Sequence, residues 1–267
     1  MSLSVIVITK NEAASIEACL ASVPFASEWI VVDSGSTDDT RDIARRLGAR
    51  VVETADWPGF GPQKNRALAE ARGDWVLSLD ADEQVSPRLA EQIRAVVQGG
   101  EERGAVAYTL SRLSSFCGQW MRHGDWYPDH VLRLFRRGQA QFSNDLVHES
   151  VQCSGKVGHL DGHLLHDSMP SLEECLDKMN RYTSGRARDQ RRAGKRGGLG
   201  TAIGHGLWAF VRSYFVRGGL LDGRMGFIVA FSIAEGTYYR YLKLWMLERG
   251  LGSPSAQVVN KKGLHAE

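Results

Sequence analysis

The sequence predicts an α/β protein, a mostly parallel central sheet flanked by helices and followed by a helical, basic C-terminal extension. Three observations predict it. Leu3–Thr9 is a β-branched apolar run of the kind a buried strand carries. Strand-like and helix-like stretches then alternate at short spacing as far as residue 80, which is the pattern of a parallel sheet with helices on both faces. From about residue 171 onward the pattern turns helical and basic.

Each element has its own signal. Asn11-Glu12 opens a helix-like stretch with Ile16, Cys19, Leu20 and Val23 on one face, stopped by Pro24. Residues 29–32 read as a second strand running into Asp33-Ser-Gly-Ser-Thr-Asp38, a turn able to cap the next helix (39–47) through Ser36 or Asp38. A third strand follows at Arg50–Glu53, then a Pro/Gly-rich loop, then a helix over 63–72. Residues 75–79 (Trp-Val-Leu-Ser-Leu) form a buried central strand. Beyond Pro87 a helix (88–97) and a strand (106–113) lead into an aromatic and polar region better suited to short strands and loops. Residues 194–200 are the best linker candidate.

Composition bounds the function. With 267 residues, 43% hydrophobic, the chain can bury a core as one large domain or a domain plus appendage. The net charge of +2 hides an asymmetry: from Lys178 on there are 16 Lys and Arg against 5 Asp and Glu, leaving 17 against 26 before it. The two parts therefore carry +11 and −9, and the basic part is expected to meet an anionic surface. Four scattered cysteines without a C-x-x-C pair indicate neither a disulfide framework nor a zinc site. Met1-Ser2 leads straight into the first strand, and the longest apolar run, 225–234, is too short to span a bilayer. A cytoplasmic protein is expected.

The chemistry concentrates at Asp80-Ala81-Asp82-Glu83. Residues two apart on a strand share a side, so Asp80 and Asp82 would project together from the carboxyl edge, where open α/β sheets bind ligands. Clustered carboxylates hold a hard cation or a positive ligand. Thr9, Asp33 and the Asp80/Asp82 pair place polar or acidic groups at three strand ends, which is what a nucleotide site with a metal needs. Neither G-x-G-x-x-G nor a G-x-x-x-x-G-K-[ST] loop is present, which argues against dinucleotide binding and a P-loop NTPase.

Thr9-Lys-Asn-Glu12, Asp33-Ser-Gly-Ser-Thr-Asp38, Lys64-Asn-Arg-Ala-Leu68 and Asp80-Ala-Asp-Glu83 together resemble the family 2 glycosyltransferases, inverting enzymes of GT-A fold that use nucleotide sugars. Trp126-Tyr-Pro-Asp129, Arg133-Leu-Phe-Arg136 and Val147-His-Glu149 extend the resemblance to the bacterial lipopolysaccharide-core glucosyltransferase subgroup. That resemblance implies transfer of glucose from a UDP donor to a lipid-linked saccharide, a heptose of the inner core; the alternative is another cell-envelope glycan. It implies Mg2+ or Mn2+ on Asp82 with Asp80 near the ribose or a metal-bound water. Thr9, Glu12, Asp33, Lys64, Arg66 and Ala81 would line the nucleotide-sugar site. Many members have Asp-Asp where this chain has Asp33-Ser34, which weakens uracil recognition by Asp33.

Inversion at the anomeric carbon needs one general base. Glu149 and Asp129 are the candidates, with Asp145 behind them; Glu149 fits the family's order better, leaving Asp129, Trp126 and Tyr127 to position the acceptor. His148 is weighed as a metal or phosphate contact, and His163 and His166 as structural or functional residues alike. In this reading residues 1–170 form the catalytic domain (donor half 1–100, acceptor half 101–170) and 171–267 a membrane-associating extension. Arg181, Arg186, Arg188, Arg191, Arg192, Lys195 and Arg196 would meet anionic lipid, with Trp208, Phe215 and Trp245 inserting, at the inner face of the cytoplasmic membrane. The competing reading is an aromatic stripe packed on the catalytic domain. A sugar-phosphate nucleotidyltransferase would open with a Gly-rich, Arg-containing loop, here Thr-Lys-Asn-Glu. Nucleic acid is not an expected partner, because the basic residues form no recognised module and the acidic edge would go unexplained.

Overall fold

The computed structural model describes residues 1–100, 104–143 and 150–251. These form two compact units: Met1–Ser114 with Pro128–Ser168, and Ser115–Tyr127 with the described residues from Met169 on.

The first unit begins with β1 (Leu3–Thr9), α1 (Ile16–Ala21), β2 (Glu28–Asp33), α2 (Thr40–Arg46), β3 (Arg50–Glu53), α3 (Phe60–Glu70) and β4 (Trp75–Asp80). It continues through β5 (Glu83–Val85), α4 (Pro87–Ala95) and β6 (Ala105–Phe116). After β7 (Gln119–Trp120) come β8 (Asp129–Arg136), β9 (Ala140–Phe142), β10 (Val151–Cys153) and β11 (Lys156–Met169). The main sheet runs β3-β2-β1-β4-β8-β6-β11-β5. Its first four strands are mutually parallel, as the βα alternation predicts. Beyond β4, strands β4 and β8, β8 and β6, and β11 and β5 pair antiparallel.

β1 is buried on both faces, which is why it reads as a continuous apolar run rather than an alternating one. Val5 and Val7 pack with Ile16, Cys19 and Leu20 of α1 and Leu89 and Ile93 of α4. Ile6 and Ile8 face the other way, toward Ala67 of α3 and Phe135 of β8. α4 starts where Ser86 caps the Leu89 amide and Pro87 occupies the first turn, whose amide needs no helical partner. α1 starts later than Asn11-Glu12 suggested. Asn11 sits at φ 57, and the amides of Asn11, Glu12 and Ala13 donate to Ser36, Thr40 and Asp38, so this stretch is a loop before it is a helix.

The second unit contains α5 (Leu172–Arg192), α6 (Leu199–Val211) and α7 (Gly223–Glu248). Ser171 caps α5 by accepting from the Glu174 amide, the first half of a capping box. α5 is tied to α7 by Lys243, whose ammonium donates to Asn180 Oδ1 at 2.7 Å, Thr183 Oγ1 at 2.8 Å and Ser184 Oγ at 2.9 Å. Phe116, Met121, Cys175 and Val229 make its small buried core. Trp245, expected at a membrane surface, is half-buried, with the Arg249 guanidinium 4.8 Å from its ring. No described helix is long and apolar enough to cross a membrane.

Candidate active site

β1, β2 and β4 run side by side, with Thr9 opposite Asp33 and Ile8 opposite Asp80, so their carboxyl ends form one edge. Two loops leave that edge and are stitched together. Asp33 is fully buried; its Oδ1 accepts from the amides of Gly35 (3.1 Å) and Ser36 (2.9 Å), and its Oδ2 from the Ser36 hydroxyl. Asn11 Oδ1 accepts from the Thr37 amide at 2.8 Å. Gln63, buried on α3, donates to Ser34 Oγ at 3.0 Å and Thr54 Oγ1 at 2.8 Å. Asp33 thus spends both oxygens on its own turn. Thr9 Oγ1, by contrast, is buried at the same edge and makes no hydrogen bond with the described residues.

The acidic turn is a network of opposed charges. Lys64 is buried on α3 with its ammonium 2.8 Å from Asp80 Oδ1. Arg133 of β8 donates from Nη2 to Asp80 Oδ2 and to Glu83 Oε1, the latter at 2.8 Å. Glu83 Oε2 accepts the Asp80 amide at 2.9 Å, closing the turn. Arg112 of β6 stands 3.5 Å from Glu83 and donates to Asp129 Oδ2 from Nε (2.8 Å) and Nη2 (2.7 Å). Burial alone would raise the Asp80 carboxyl, but the charges of Arg133 and Lys64 outweigh it and hold Asp80 well below the usual carboxylate range. Glu83 moves the other way: burial lifts it, against the pull of Arg133 and with the Asp80 charge adding to the rise.

Asp82 takes a different partner. β11 pairs with β5 so that His166 lies opposite Glu83, and its Nε2 comes 3.2 Å from Asp82 Oδ2. Ser114 Oγ meets the other ring nitrogen at 3.2 Å and fixes the ring's orientation. The two carboxylates expected to act as a pair are therefore divided: Asp80 is neutralised by a lysine and an arginine, while Asp82 faces an imidazole. Among the described residues no group of three or more His, Cys, Asp and Glu forms a metal cage. The oxygen of Asp82 and nitrogen of His166 suit a divalent cation that completes its shell with substrate phosphates and water.

The remaining expected residues fall in several places. Ala81 is buried inside the acidic turn. Glu12 follows the left-handed Asn11 in the first loop, its amide held by Thr40. Arg66 forms a fork on Asp56, with both bonds at 2.8 Å, on the exposed side of α3. Asp145, His148 and Glu149 lie outside the described residues. His163 holds its strand to α4, its amide donating to Ser86 Oγ at 3.1 Å. Arg112, Arg133 and Glu83 had no role assigned from sequence.

The glycosyl transferase family 2 model matches residues 4–154, the stretch that runs from β1 to β10 and contains this edge up to Arg133. An uncharacterised glycosyltransferase of Rickettsia prowazekii is 32% identical over 252 residues, covering 91% of this chain and 86% of that protein. The lipopolysaccharide core biosynthesis glycosyltransferase LpsC of Rhizobium meliloti is 29% identical over 260 residues, covering 90% and 93%. Among solved structures, S. aureus TarS 1-349 aligns at TM-score 0.47 and 16% identity over 94% of this chain and 92% of that one. Glucosyl-3-phosphoglycerate synthase from Mycobacterium tuberculosis, solved with Mn2+, UDP-glucose and phosphoglyceric acid, aligns at TM-score 0.36 and 31% identity over 42% and 44%. A family match across the strands that build the acidic edge, joined to relatives aligned over nine-tenths of the length, makes this chain a member of glycosyl transferase family 2.

Proposed function

We propose that the chain transfers glucose, with inversion, from UDP-glucose to a heptose of a lipid-linked lipopolysaccharide inner core. The observation that carries the donor half of this reading is the divided acidic turn. Lys64 and Arg133 already satisfy Asp80, so Asp82 with His166 is the place where a cation has a ligand to gain. Mg2+ or Mn2+ bound there supplies positive charge to the leaving diphosphate. Thr9, with an unpaired buried hydroxyl beside this edge, has a hydrogen bond left to give the nucleotide. Asp33 shapes the loop around the base rather than offering it a free oxygen.

For the acceptor, Glu149 is the general base and Asp129 a positioning residue. A base needs a lone pair free of strong donors, and Asp129 Oδ2 already takes two N–H groups of Arg112. The glucose donor and the heptose acceptor rest on the likeness to the lipopolysaccharide-core subgroup and to LpsC. Such an acceptor sits in a bilayer, so the protein works peripherally at the inner face of the cytoplasmic membrane, drawn there by the basic residues of α5.

A melting screen against nucleoside-diphosphate sugars, with and without Mn2+, tests the donor. A ligand at a hundred times its Kd adds about 2.7 kcal/mol, or roughly 5–10 °C for a chain of this size. UDP-glucose with Mn2+ should give that shift, and Mn2+ omission should abolish most of it. A larger shift with another sugar nucleotide would replace glucose, and none with any would overturn the nucleotide site.

A further inference from the structure

α6 and α7 leave large apolar side chains facing outward, against the usual order for helices in water. Soluble helices turn large apolar side chains inward and small or polar ones outward. Here small residues take part in the contact, beside the stacked rings of His205 and Tyr241 and the edge-on pair of Phe210 and Phe227. A methyl group on Gly206 would come 3.2 Å from the Ala234 carbonyl, and one on Gly226 would overlap the carbonyl of Gly219 in the turn that leads into α7. Ala202, Ala209 and Ala230 are buried with them. The large apolar side chains are left outside: Leu207 is 64% exposed, Trp208 56%, Val216 67% and Leu221 65%. Small residues at the helix contact and large apolar ones on the outer face are the arrangement of helices packed in lipid, where exposing Leu or Phe costs nothing.

Two further observations name the surroundings. The apolar faces continue onto the tip of the hairpin, where Phe215, Val216, Leu220 and Leu221 are all exposed. Around that tip stand Arg212, Arg217 and Arg224. Arg212 and Arg217 share the one carboxylate of Asp125, and Asp222 accepts from the amides of Arg122 and His123 and from the His123 ring, so three arginines stand against two acids and the tip keeps a small positive excess. An apolar tip rimmed by arginines complements an anionic leaflet, headgroups on the cations and acyl chains on the apolar faces. Between the helices runs a cleft of about 520 Å³, lined by Ile203, Leu207, Phe210, Phe227 and Phe231.

We infer that the α6–α7 hairpin is a monotopic anchor that buries its tip in an anionic leaflet and takes a lipid acyl chain in this cleft. The inference rests on the membrane part of the proposed function and changes its emphasis. Basic α5 supplies attraction, while the hairpin supplies attachment that salt does not release. Neither Trp245, near the end of α7 away from the tip, nor the arginines of α5 belong to the inserting tip.

The test uses the full chain and vesicles of phosphatidylglycerol and phosphatidylethanolamine. Wild-type protein should sediment with them in 1 M salt, and V216S/L221S should bind at least about tenfold more weakly at that salt, because each buried methylene contributes about 0.8 kcal/mol. Lipids brominated in the acyl chains should quench part of the tryptophan emission, and Trp208→Phe should remove most of that quenching. Should V216S/L221S melt early, the quenching of wild type against W208F decides alone. Complete release of wild type by salt, or quenching indifferent to W208F, overturns the anchor. So does a vesicle-independent dimer that V216S/L221S dissociates, which would assign the face to a second copy. Transfer to a water-soluble acceptor fragment is read separately: intact transfer with failed vesicle binding removes the anchor and leaves the glycosyltransferase reading standing.

Discussion

Replacing Arg133 by Met removes a cation shared by Asp80 and Glu83 while keeping much of the side-chain volume. Removing one partner of a buried ion pair costs about 3–5 kcal/mol, mostly because the remaining charge stays buried. Glu83 is 0% exposed and Arg133 8%, but Asp80 is 32% exposed and keeps Lys64, so the lower end applies, about 3 kcal/mol. At about 2–4 °C per kcal/mol for a chain of this size, the melting point should fall by roughly 6–12 °C near pH 7. Acid should shrink that deficit. In the variant both carboxyls rise, and a carboxyl raised in the folded state favours folding below its unfolded value and loses that contribution as pH climbs through the folded one. In the wild type Asp80 is depressed, so its contribution exists above the unfolded value and is lost as pH falls. The raised carboxyl closes the gap between the proteins as pH drops toward about 4, near the unfolded Asp and Glu values, whereas the Asp80 contribution of the wild type is lost only below that. Scanning calorimetry from pH 4.5 to 8 reads this directly. A deficit under about 1 kcal/mol, or one that widens on acidification, would refute the assignment of Arg133 as the clamp on this turn. Arg133→Lys should fall between the two, since an ammonium lacks the planar fork.

Three other outcomes are expected. Asp82→Ala should abolish transfer and the Mn2+-dependent part of nucleotide binding, and His166→Ala should weaken the metal dependence while leaving metal-free nucleotide binding near wild type; titration calorimetry with and without EDTA checks both. Glu149→Gln should lower kcat by about 10²–10⁴-fold with donor Kd unchanged, and if Asp129→Asn shows that pattern instead, their roles exchange. Gly162→Ala should destabilise by about 1–3 kcal/mol in denaturant melts, because a methyl there would fall 2.4 Å from Leu89 Cα and push β11, with His166, off the start of α4.

The parallel half of the sheet was legible because its information is local. Leu3–Thr9 and residues 75–79 carry mostly apolar runs, each with one buried serine, of the kind that strands covered on both faces need. The strand-end positions of Thr9, Asp33, Asp80 and the turn residue Asp82 follow from where those runs stop. What the side chains do there was not legible. Arg133 lies 53 residues from Asp80 and His166 lies 84 from Asp82. Each meets its partner through antiparallel strands, and no short-range pattern fixes which residue of β8 or β11 faces the turn. Lys64 illustrates the same limit. Its helix was placed near the edge, yet only the fold shows that its charge is committed to Asp80. In the tail, the apolar period found the helices but gave equal weight to Trp208 and Trp245. The close approach at Gly197, where a methyl would fall 2.5 Å from the Trp245 amide, covers one of them and leaves the other outside.

The charge arrangement explains why this edge would need a cation for an anionic ligand. Lys64, Arg133 and Arg112 match Asp80, Glu83 and Asp129 one for one, so the three bases nearest the acidic turn have little charge left for a diphosphate. Asp82, beside the His166 ring, adds a carboxylate that repels phosphate at close range. A divalent ion on Asp82, as proposed, would reverse that negative sign beside the diphosphate. Metal and nucleotide then each create the other's site, and by linkage each must raise the other's affinity by the same factor. The buried clamp on Asp80 makes this coupling sharper. It holds the backbone from Asp80 to Glu83 closed through the Glu83 carboxylate, so Asp82 is presented from a fixed turn rather than a mobile one. The stabilising network and the proposed binding residue are thus neighbours in sequence with opposite electrostatic tasks, one made neutral so that the other can stay charged.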